Sequence, residues 1–572
     1  MSLRNELGHW LRERSSSLVP LAVVVGVCTG LGAVAFRSLI NGFTWLFTGH
    51  QDYAGLGRVA SEHLPWLGVG FLVVAPAVAG LIYGPLVHRF APEARGHGVP
   101  EVMFAVSMRG GRIAPKVALV KSLASALCIG GGGSVGREGP IVQIGSAVGS
   151  GVAQWLRLDT ARVRLLLACG AAGGISATFN TPLAGPFFAM ELILRDFAAQ
   201  SFGAVVLSSV TASIVARAIL GNEPFLTLPA FSVHSPAEYL LYAALGVLVG
   251  AVGVAFSRVL YLVEDFCDWL WRGPEWARPA AGGLLLGLLL LALPEMYGVG
   301  YPVLQNAIEG RYVVGFLLLL LVAKMLATSL TIGIGGSGGV FAPTLFIGAM
   351  AGSAFGALAH LGWPESTEAA GAYGLVGMGA ALAGATRASI TAVVILFELT
   401  GQYSIILPLM IAIALAAGTS HLLSRQTIYT QKLWRRGVDI DRHASDNLTA
   451  ADVAAPPARV LNEHMRLDVA AELITSASVP LLPVLAPDGR YLGCVTAEDA
   501  VAAIEGGSPP EHIDSLVQRL PTLPVDARLP DVIEALSGHG AAGLPVIDGE
   551  PARLAGWITY ENVLNRLTAD PR

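Results

Sequence analysis

Residues 130–150 read GGGGSVGREGPIVQIGSAVGS, and residues 333–353 read GIGGSGGVFAPTLFIGAMAGS. With Pro140 set on Pro343, the two stretches share Gly132/Gly335, Gly133/Gly336, Ser134/Ser337, Gly136/Gly339, Gly145/Gly348 and Gly149/Gly352. Each begins as a glycine-rich break and continues as an apolar helix starting near its proline, a residue favoured in the first helical turn. A weaker echo pairs Gly170 with Gly377 and Glu191 with Glu398. A large part of the chain therefore reads as two related halves.

Composition says where these breaks lie. The chain has 572 residues, of which 53% are hydrophobic and 13% charged, and its mean hydropathy is +0.61. A soluble domain carries about 25% charged residues. A spanning helix needs about 20 mainly apolar residues. Residues 15–36, 63–88, 239–257, 325–364 and 400–424 each reach that length without one Asp, Glu, Lys or Arg. The chain up to about Arg435 is thus expected to be one polytopic membrane domain. Residues 1–14 are polar and charged, and the apolar stretch after them is too long for a signal-peptide core. The basic run Lys432-Leu433-Trp434-Arg435-Arg436, with Arg4, Arg12 and Arg14, places both termini on the cytoplasmic side. The net charge of -5 is modest and says little about partners; no nucleic-acid partner is expected. Cys28, Cys128, Cys169, Cys267 and Cys494 form no CxxC pair and read as small buried hydrophobes, with no metal site.

In lipid an unpaired backbone group is costly, so a glycine-rich break at membrane depth belongs where backbone lines a protein-buried site. Two breaks at matching positions of two halves point to a transport site. Each break aims backbone N–H groups and a positive helix end into that site, which is chemistry for an anion. One such run alone would more simply be read as a close-packing device. Gly333-x-Gly335-x-x-Gly338 matches a dinucleotide fingerprint, but it lies in an uncharged membrane stretch instead of a βαβ unit. The other break lacks the lysine of a P-loop. Glu138 stands between Arg137 and Gly139 at membrane depth, where an ionisable group marks a functional site. Desolvation favours its neutral form and positive helix ends favour the carboxylate, so it competes with an anion when charged and withdraws when protonated. The plainer alternative is a structural pair with Arg137.

These residues resemble a known family. Gly136-Arg137-Glu138-Gly139-Pro140 and Gly338-Gly339-Val340-Phe341-Ala342-Pro343 are similar to signature segments of the CLC chloride channels and proton-coupled chloride transporters. Gly96-His97-Gly98-Val99-Pro100 resembles that family's GSGIP, and Tyr429 its pore tyrosine. The resemblance implies an all-α polytopic membrane protein, an inverted repeat of tilted and broken helices, and a homodimer with one pore per subunit. It implies that Glu138 gates the outer anion site and that the amides of Val340 and Phe341, with the Tyr429 hydroxyl, hold a central anion. His97, Gly98, Arg137 and Gly139 complete the anion-binding set. Ser134, Gly136, Pro140, Gly338, Gly339 and Pro343 support the motifs, and Lys121 adds positive potential. On this reading residues 1–16 are a cytoplasmic N-terminus. Residues 17–433 are the membrane domain, in halves of about 17–225 and 226–433, and residues 434–450 are a linker.

Two departures matter. The serine of GSGIP is His97 here, whose ring N–H is a donor for chloride, more attractive once protonated; the alternative is a ring turned away from the anion. The fluoride-selective branch usually lacks the proline that stands here as Pro140. Secondly, the antiporters usually carry a second, proton-relaying glutamate after NxPLAG. Here Asn180-Thr181-Pro182-Leu183-Ala184-Gly185 is followed by Glu191 and then Leu192, so the relay position is lost. That leans to a channel or a weakly coupled transporter, with a coupled chloride/proton antiporter using another proton route as the alternative. No enzymatic activity is implied.

After the linker the patterning is that of a soluble α/β domain. Pro483-Val484, Gly493, Thr496 and Glu498 recur as Pro545-Val546, Gly556, Thr559 and Glu561. This resembles a pair of CBS motifs, residues 451–506 and 514–568, each expected to be a helix, two strands and a helix. In CBS pairs an acid after Thr often binds a nucleotide ribose. Thr496-x-x-Asp499 fits, whereas Thr559-x-x-Asn562 has lost the acid. A structural, dimer-stabilising tail comes first and adenine-nucleotide regulation second; no cofactor is required. A CBS-regulated cation channel would need carboxylates along its path. An intramembrane metalloprotease would need HExxH, which is absent, and His63, His88, His97 and His421 make no ligand pair.

Overall fold

The computed structural model describes residues 18–221, 231, 233–365, 367–440, 448–477, 480–506, 509–539, 542–549 and 552–568. The expectation for residues 1–16 lies outside them. The chain divides into two compact units, Met1–Val438 and Asp439–Arg572.

The first unit is helical. Its first half runs through α1 (Leu18–Thr48), α2 (Phe71–Phe90), α3 (Val99–Met108), α4 (Lys116–Gly130), α5 (Glu138–Trp155), α6 (Thr160–Phe179), α7 (Ala184–Phe188, prolonged by a wide turn Ala189–Leu194) and α8 (Ala199–Leu220). The second runs through α9 (Glu238–Leu270), α10 (Arg278–Ala292), α11 (Tyr301–Ile308), α12 (Val314–Gly333), α13 (Phe341–Gly362), α14 (Ala370–Thr386), α15 (Ser389–Thr400), α16 (Ile406–Leu423) and α17 (Thr430–Trp434). Among the described residues 8 helices are long and apolar enough to cross a membrane. Their outward faces carry exposed Leu31, Leu240 and Leu285, a surface suited to lipid. The 33 residues of α9 extend about 50 Å against a hydrocarbon core of about 30 Å, so α9 tilts, projects beyond that core, or both. The uncharged stretch 325–364 is not one span: it is the end of α12, a loop, and α13.

The repeat has a packing meaning. α5 lies along α6, and α13 along α14. At one crossing the backbone of Gly145 meets that of Gly170, and at the other Gly348 meets Gly377. A Cβ on Gly170 would land on the Gly145 carbonyl. Gly170→Val therefore forces two backbones apart. Overpacking costs about 1–3 kcal/mol, and a rigid backbone partner puts this case at the upper end. The expected result is a clear fall in melting temperature in detergent; an unchanged midpoint would refute the crossing.

The Glu191/Glu398 echo is a reciprocal cap. Glu191 accepts from the backbone N–H groups of Ile390 (3.1 Å) and Thr391 (2.8 Å) and from the Thr391 hydroxyl (2.7 Å), at the start of α15. Glu398, on α15, accepts from the N–H groups of Leu183 and Ala184 at the start of α7. Each carboxylate fills donors that a helix start leaves unpaired, and the two halves are tied twice. The basic run is likewise engaged: Lys432 pairs with Glu264, Arg435 with Asp265 and Arg436 with Glu101. One expectation is corrected for the cysteines. Cys128, Cys169 and Cys494 are buried, but Cys28 is exposed and Cys267 half-buried, because their helices turn those positions outward.

The second unit holds two copies of one motif. A short helix, α18 (Ala450–Val453), precedes the first and packs into the core of the second; the first comprises β1 (Leu461–Asn462), α19 (Leu467–Ser476), β2 (Leu481–Leu485), β3 (Tyr491–Thr496) and α20 (Ala497–Glu505). The second comprises β4 (Leu523–Pro524), α21 (Leu529–His539), β5 (Leu544–Asp548), β6 (Arg553–Ile558) and α22 (Tyr560–Thr568). Each sheet has three strands where two are expected from sequence. A two-residue strand, β1 or β4, pairs parallel to β2 or β5; it is too short to show a period. β2 pairs antiparallel with β3, and β5 with β6. Leu461, Leu482, Val484 and Val495 fill one core, and Leu529, Leu544, Val546 and Ile558 the other. Burial pushes the Cys494 thiol up to about 11, which keeps it an inert packing group.

Candidate functional site

Three glycine loops meet inside the first unit. Gly136 and Gly339 exchange backbone hydrogen bonds, N–H to O=C at 2.7 and 2.6 Å. The Gly96 N–H donates to the Gly336 carbonyl at 3.1 Å, and the Gly338 N–H to the Gly96 carbonyl at 3.3 Å. These two-residue bridges satisfy broken backbone in a region without water. The loops also pack without room for a side chain. A Cβ on Gly139 would strike the His97 carbonyl, one on Gly338 the side chain of Val135, and one on Gly98 the Gly139 carbonyl. Gly98 also holds φ +80°, a left-handed conformation that glycine adopts freely.

From this knot the helices diverge. Glu138 is the first residue of α5, with Pro140 in its first turn, and Phe341 begins α13 after Val340 with Pro343 in its first turn. Val99 begins α3 after Gly98, and Tyr429 stands just before α17. Glu138, Val340, Phe341, His97 and Tyr429 are all buried. The rings of His97 and Tyr429 lie 6.4 Å apart, and His97 lies 6.4 Å from Tyr261. Neither ring nitrogen of His97 meets a hydrogen-bond partner among the described residues. The Tyr261 hydroxyl instead donates to the Ile428 carbonyl at 2.6 Å, which secures the segment carrying Tyr429.

The Glu138 carboxylate meets donors on both oxygens. One oxygen accepts from the Tyr301 hydroxyl at 2.7 Å, the other from the Ala342 N–H, at the start of α13, at 3.3 Å. The Arg137 guanidinium lies 5.2 Å from the Tyr301 ring centre and donates to the Thr178 carbonyl. Beyond Arg137 and Tyr301 opens a cavity of about 410 Å³ whose lining includes Arg37, Arg217 and Asp52. With Arg137 it holds three arginines against one aspartate, a mouth that concentrates anions.

Lys121 and Lys324 are both fully buried. The Lys121 ammonium donates to the carbonyls of Ala94 (2.9 Å) and Gly96 (2.8 Å). The Lys324 ammonium donates to the carbonyls of Gly298 (3.1 Å) and Val299 (3.0 Å) and to the Ser134 hydroxyl (2.9 Å). Ser337 caps the first cage through Ala94, and Thr328 holds the Ser134 carbonyl in the second. The cages are repeat mates. Sequence reasoning found Lys121, Ser134 and the loop of His97, but missed Lys324 and Tyr301. The signal was present: residues 92–100 read PEARGHGVP and residues 294–302 read PEMYGVGYP. Leu192 is buried in the wide turn after α7, next to the fully engaged Glu191.

In the second unit Thr496 caps α20, and its hydroxyl contacts Asp499. The same Asp499 oxygen accepts from Gln518 at 2.8 Å. In the other copy Asn562 accepts from the N–H and the hydroxyl of Thr559, so the amide takes over the local capping contacts.

Comparison with known proteins agrees with this geometry. A family model described as voltage gated chloride channel matches residues 79–421. The chain belongs to the CLC family. Two CBS domains match residues 450–506 and 513–569 of this CLC protein. It is 36% identical over 430 residues to the H(+)/Cl(-) exchange transporter ClcA of Vibrio cholerae, covering 73% of this chain and 89% of that one. Its fold is similar to that of a slow cyanobacterial Cl-/H+ antiporter, at a TM-score of 0.66 and 26% identity, covering 74% of this chain and 99% of the other. A eukaryotic CLC transporter covers 97% of this chain, at a TM-score of 0.64 and 22% identity, and shows the fold alone. The protein is a multi-pass membrane protein of CLC anion transport, with a CBS pair.

Proposed function

We propose that this CLC protein passes chloride or a similar small anion through a pathway gated at its outer end by Glu138, with weak proton coupling or none. One observation supports this above others. The Glu138 carboxylate sits on the Ala342 N–H at the start of α13, and a carboxylate there stands where an anion would bind. Protonation removes the charge, and a mobile anion then wins the place. Further in, the amides of Val340 and Phe341, the Tyr429 hydroxyl and the His97 ring hold the central anion. Gly98 and Gly139 let that backbone come close, and Arg137 and Lys121 supply positive potential.

The proton side supports weak coupling. Leu192 has no titratable group, and the neighbouring Glu191 carboxylate is spent on three donors of α15. A second reading, coupled chloride/proton exchange, is favoured by His97, a buried base with no hydrogen-bond partner on either ring nitrogen among the described residues, and by the similarity to H(+)/Cl(-) exchange transporters. Reconstitution in liposomes separates the two. Chloride efflux and proton movement are recorded together under a chloride gradient. Efflux without proton uptake supports the first reading; proton uptake driven against its own gradient refutes it and makes His97 the candidate relay.

His97→Ser provides the companion test. A ring that gains a proton attracts an anion more strongly as pH falls, so this variant is expected to lose part of the pH dependence of chloride affinity. An unchanged pH profile in the flux assay would rule out His97 titration.

The protein works as a homodimer in the bilayer with both termini cytoplasmic, and no metal or obligatory cofactor takes part. The CBS pair stabilises that dimer. Adenine-nucleotide binding is the secondary role, with Thr496, Asp499 and Thr559 at the ribose; it requires Gln518 to yield its contact with Asp499.

A further inference from the structure

Tyr301 opens α11 behind Gly298-Val299-Gly300, a loop that turns on two left-handed glycines, Gly298 at φ +60° and Gly300 at φ +90°. The tyrosine is held from several directions. Lys324 ties down the two carbonyls of the loop and joins them to Ser134. Phe346 packs against both the Lys324 ammonium and the position a Cβ on Gly300 would take. Arg137 covers the ring, and Pro302 follows directly. Nothing in that support depends on the Glu138 side chain. The hydroxyl is thus placed independently of the carboxylate it meets.

We propose that the Tyr301 hydroxyl is an anion ligand of the outer site, occupied in this structure by the carboxylate that stands in for the anion. This rests on the reading of Glu138 as the gate. When Glu138 is displaced, the phenol donates to the arriving halide, as it now donates to the Glu138 carboxylate, and the Ala342 N–H does the same. Gate and anion thus exchange on shared donors, and neither donor is left buried and unpaired during the exchange, a state that is costly. The pathway then has a phenol at each end, Tyr301 outside and Tyr429 inside. Of the charged groups around the outer one, Arg137 and Lys324 favour an anion beside the phenol, and Asp52, which lines the same cavity, opposes them.

The test uses full-length protein in detergent, with chloride and bromide titrated calorimetrically. Glu138→Ala empties the outer site. Adding Tyr301→Phe, which keeps the ring beneath Arg137, is expected to weaken halide affinity by at least about tenfold, the lower end of what one charge-assisted hydrogen bond contributes. Equal affinity in the single and double variants overturns the proposal. If Glu138→Ala alone neither raises chloride flux nor adds halide binding, the gate reading fails instead, and the two failures stay distinct. Should the double variant not fold, crystals of Glu138→Ala with bromide decide the matter. Anomalous density within about 3.5 Å of the Tyr301 hydroxyl supports the proposal, and bromide bound in the pathway with none at that hydroxyl overturns it.

Discussion

Glu138→Gln is expected to give chloride flux that is nearly independent of pH, and at neutral pH at least about tenfold faster than that of the unaltered protein. The carboxylate holds its place through a charge-assisted bond from Tyr301 and a longer one from the Ala342 N–H. Bonds to a charged acceptor contribute about 1.5–3 kcal/mol, and about 1.4 kcal/mol is a factor of ten. An amide keeps the shape and loses the charge, so an anion displaces it more readily. The sign with pH follows. In the unaltered protein acid protonates the carboxylate, removes its hold on the two donors and raises flux; glutamine has no proton to gain and sits at the fast limit throughout. The measurement is chloride efflux from liposomes at about pH 4.5, within the range where carboxyl groups in proteins commonly titrate, and at about pH 7.5, above it. A steep pH dependence retained by Glu138→Gln would remove Glu138 from the gate. Loss of all flux in a folded protein would do the same.

The parts of this site that could be read in the sequence are those carried by a run of residues. GREGP and GGVFAP announce themselves twice, with glycines that admit backbone contact and prolines that start helices, and the knot of loops sits where they point. The echo of Gly170 in Gly377 was visible, but its reason was not until both proved to be crossing points against Gly145 and Gly348. Single residues acting across the fold were hidden. Tyr301 reaches Glu138 from 163 positions away, and no local pattern reports a hydrogen bond of that separation. Lys324 looks like a stray charge in an apolar helix until its two carbonyls and one hydroxyl are seen around it. Glu191 and Glu398 were aligned correctly, yet the reciprocal capping of α15 and α7 belongs to the way the halves face each other. The short strands β1 and β4 have 2 residues each, too few for alternation to appear.

Lys324→Met carries the largest expected effect on stability. The methionine fills nearly the same apolar volume and donates nothing. The carbonyls of Gly298 and Val299 and the hydroxyl of Ser134 lose their shared donor at a point buried from solvent. A buried polar group left without a partner costs about 1–3 kcal/mol. Relief from desolvating the ammonium offsets part of this, and the net loss is expected to be about 2–4 kcal/mol, read as a large fall in melting temperature in detergent. Lys121→Met removes the donor from only two carbonyls, those of Ala94 and Gly96, and Ala94 keeps a bond from the Ser337 hydroxyl at 2.7 Å. Its loss should therefore be smaller. The order of the two variants is the sharper test, since both remove one buried ammonium from matching places in the repeat, and Lys324 abandons more acceptors together with its contact on the Phe346 ring. Equal losses would mean that the cost lies in the ammonium itself, and a Lys324→Met protein as stable as the parent would mean that the loop bearing Tyr301 is held by its glycines, Pro302 and the Arg137 stack without need of the lysine.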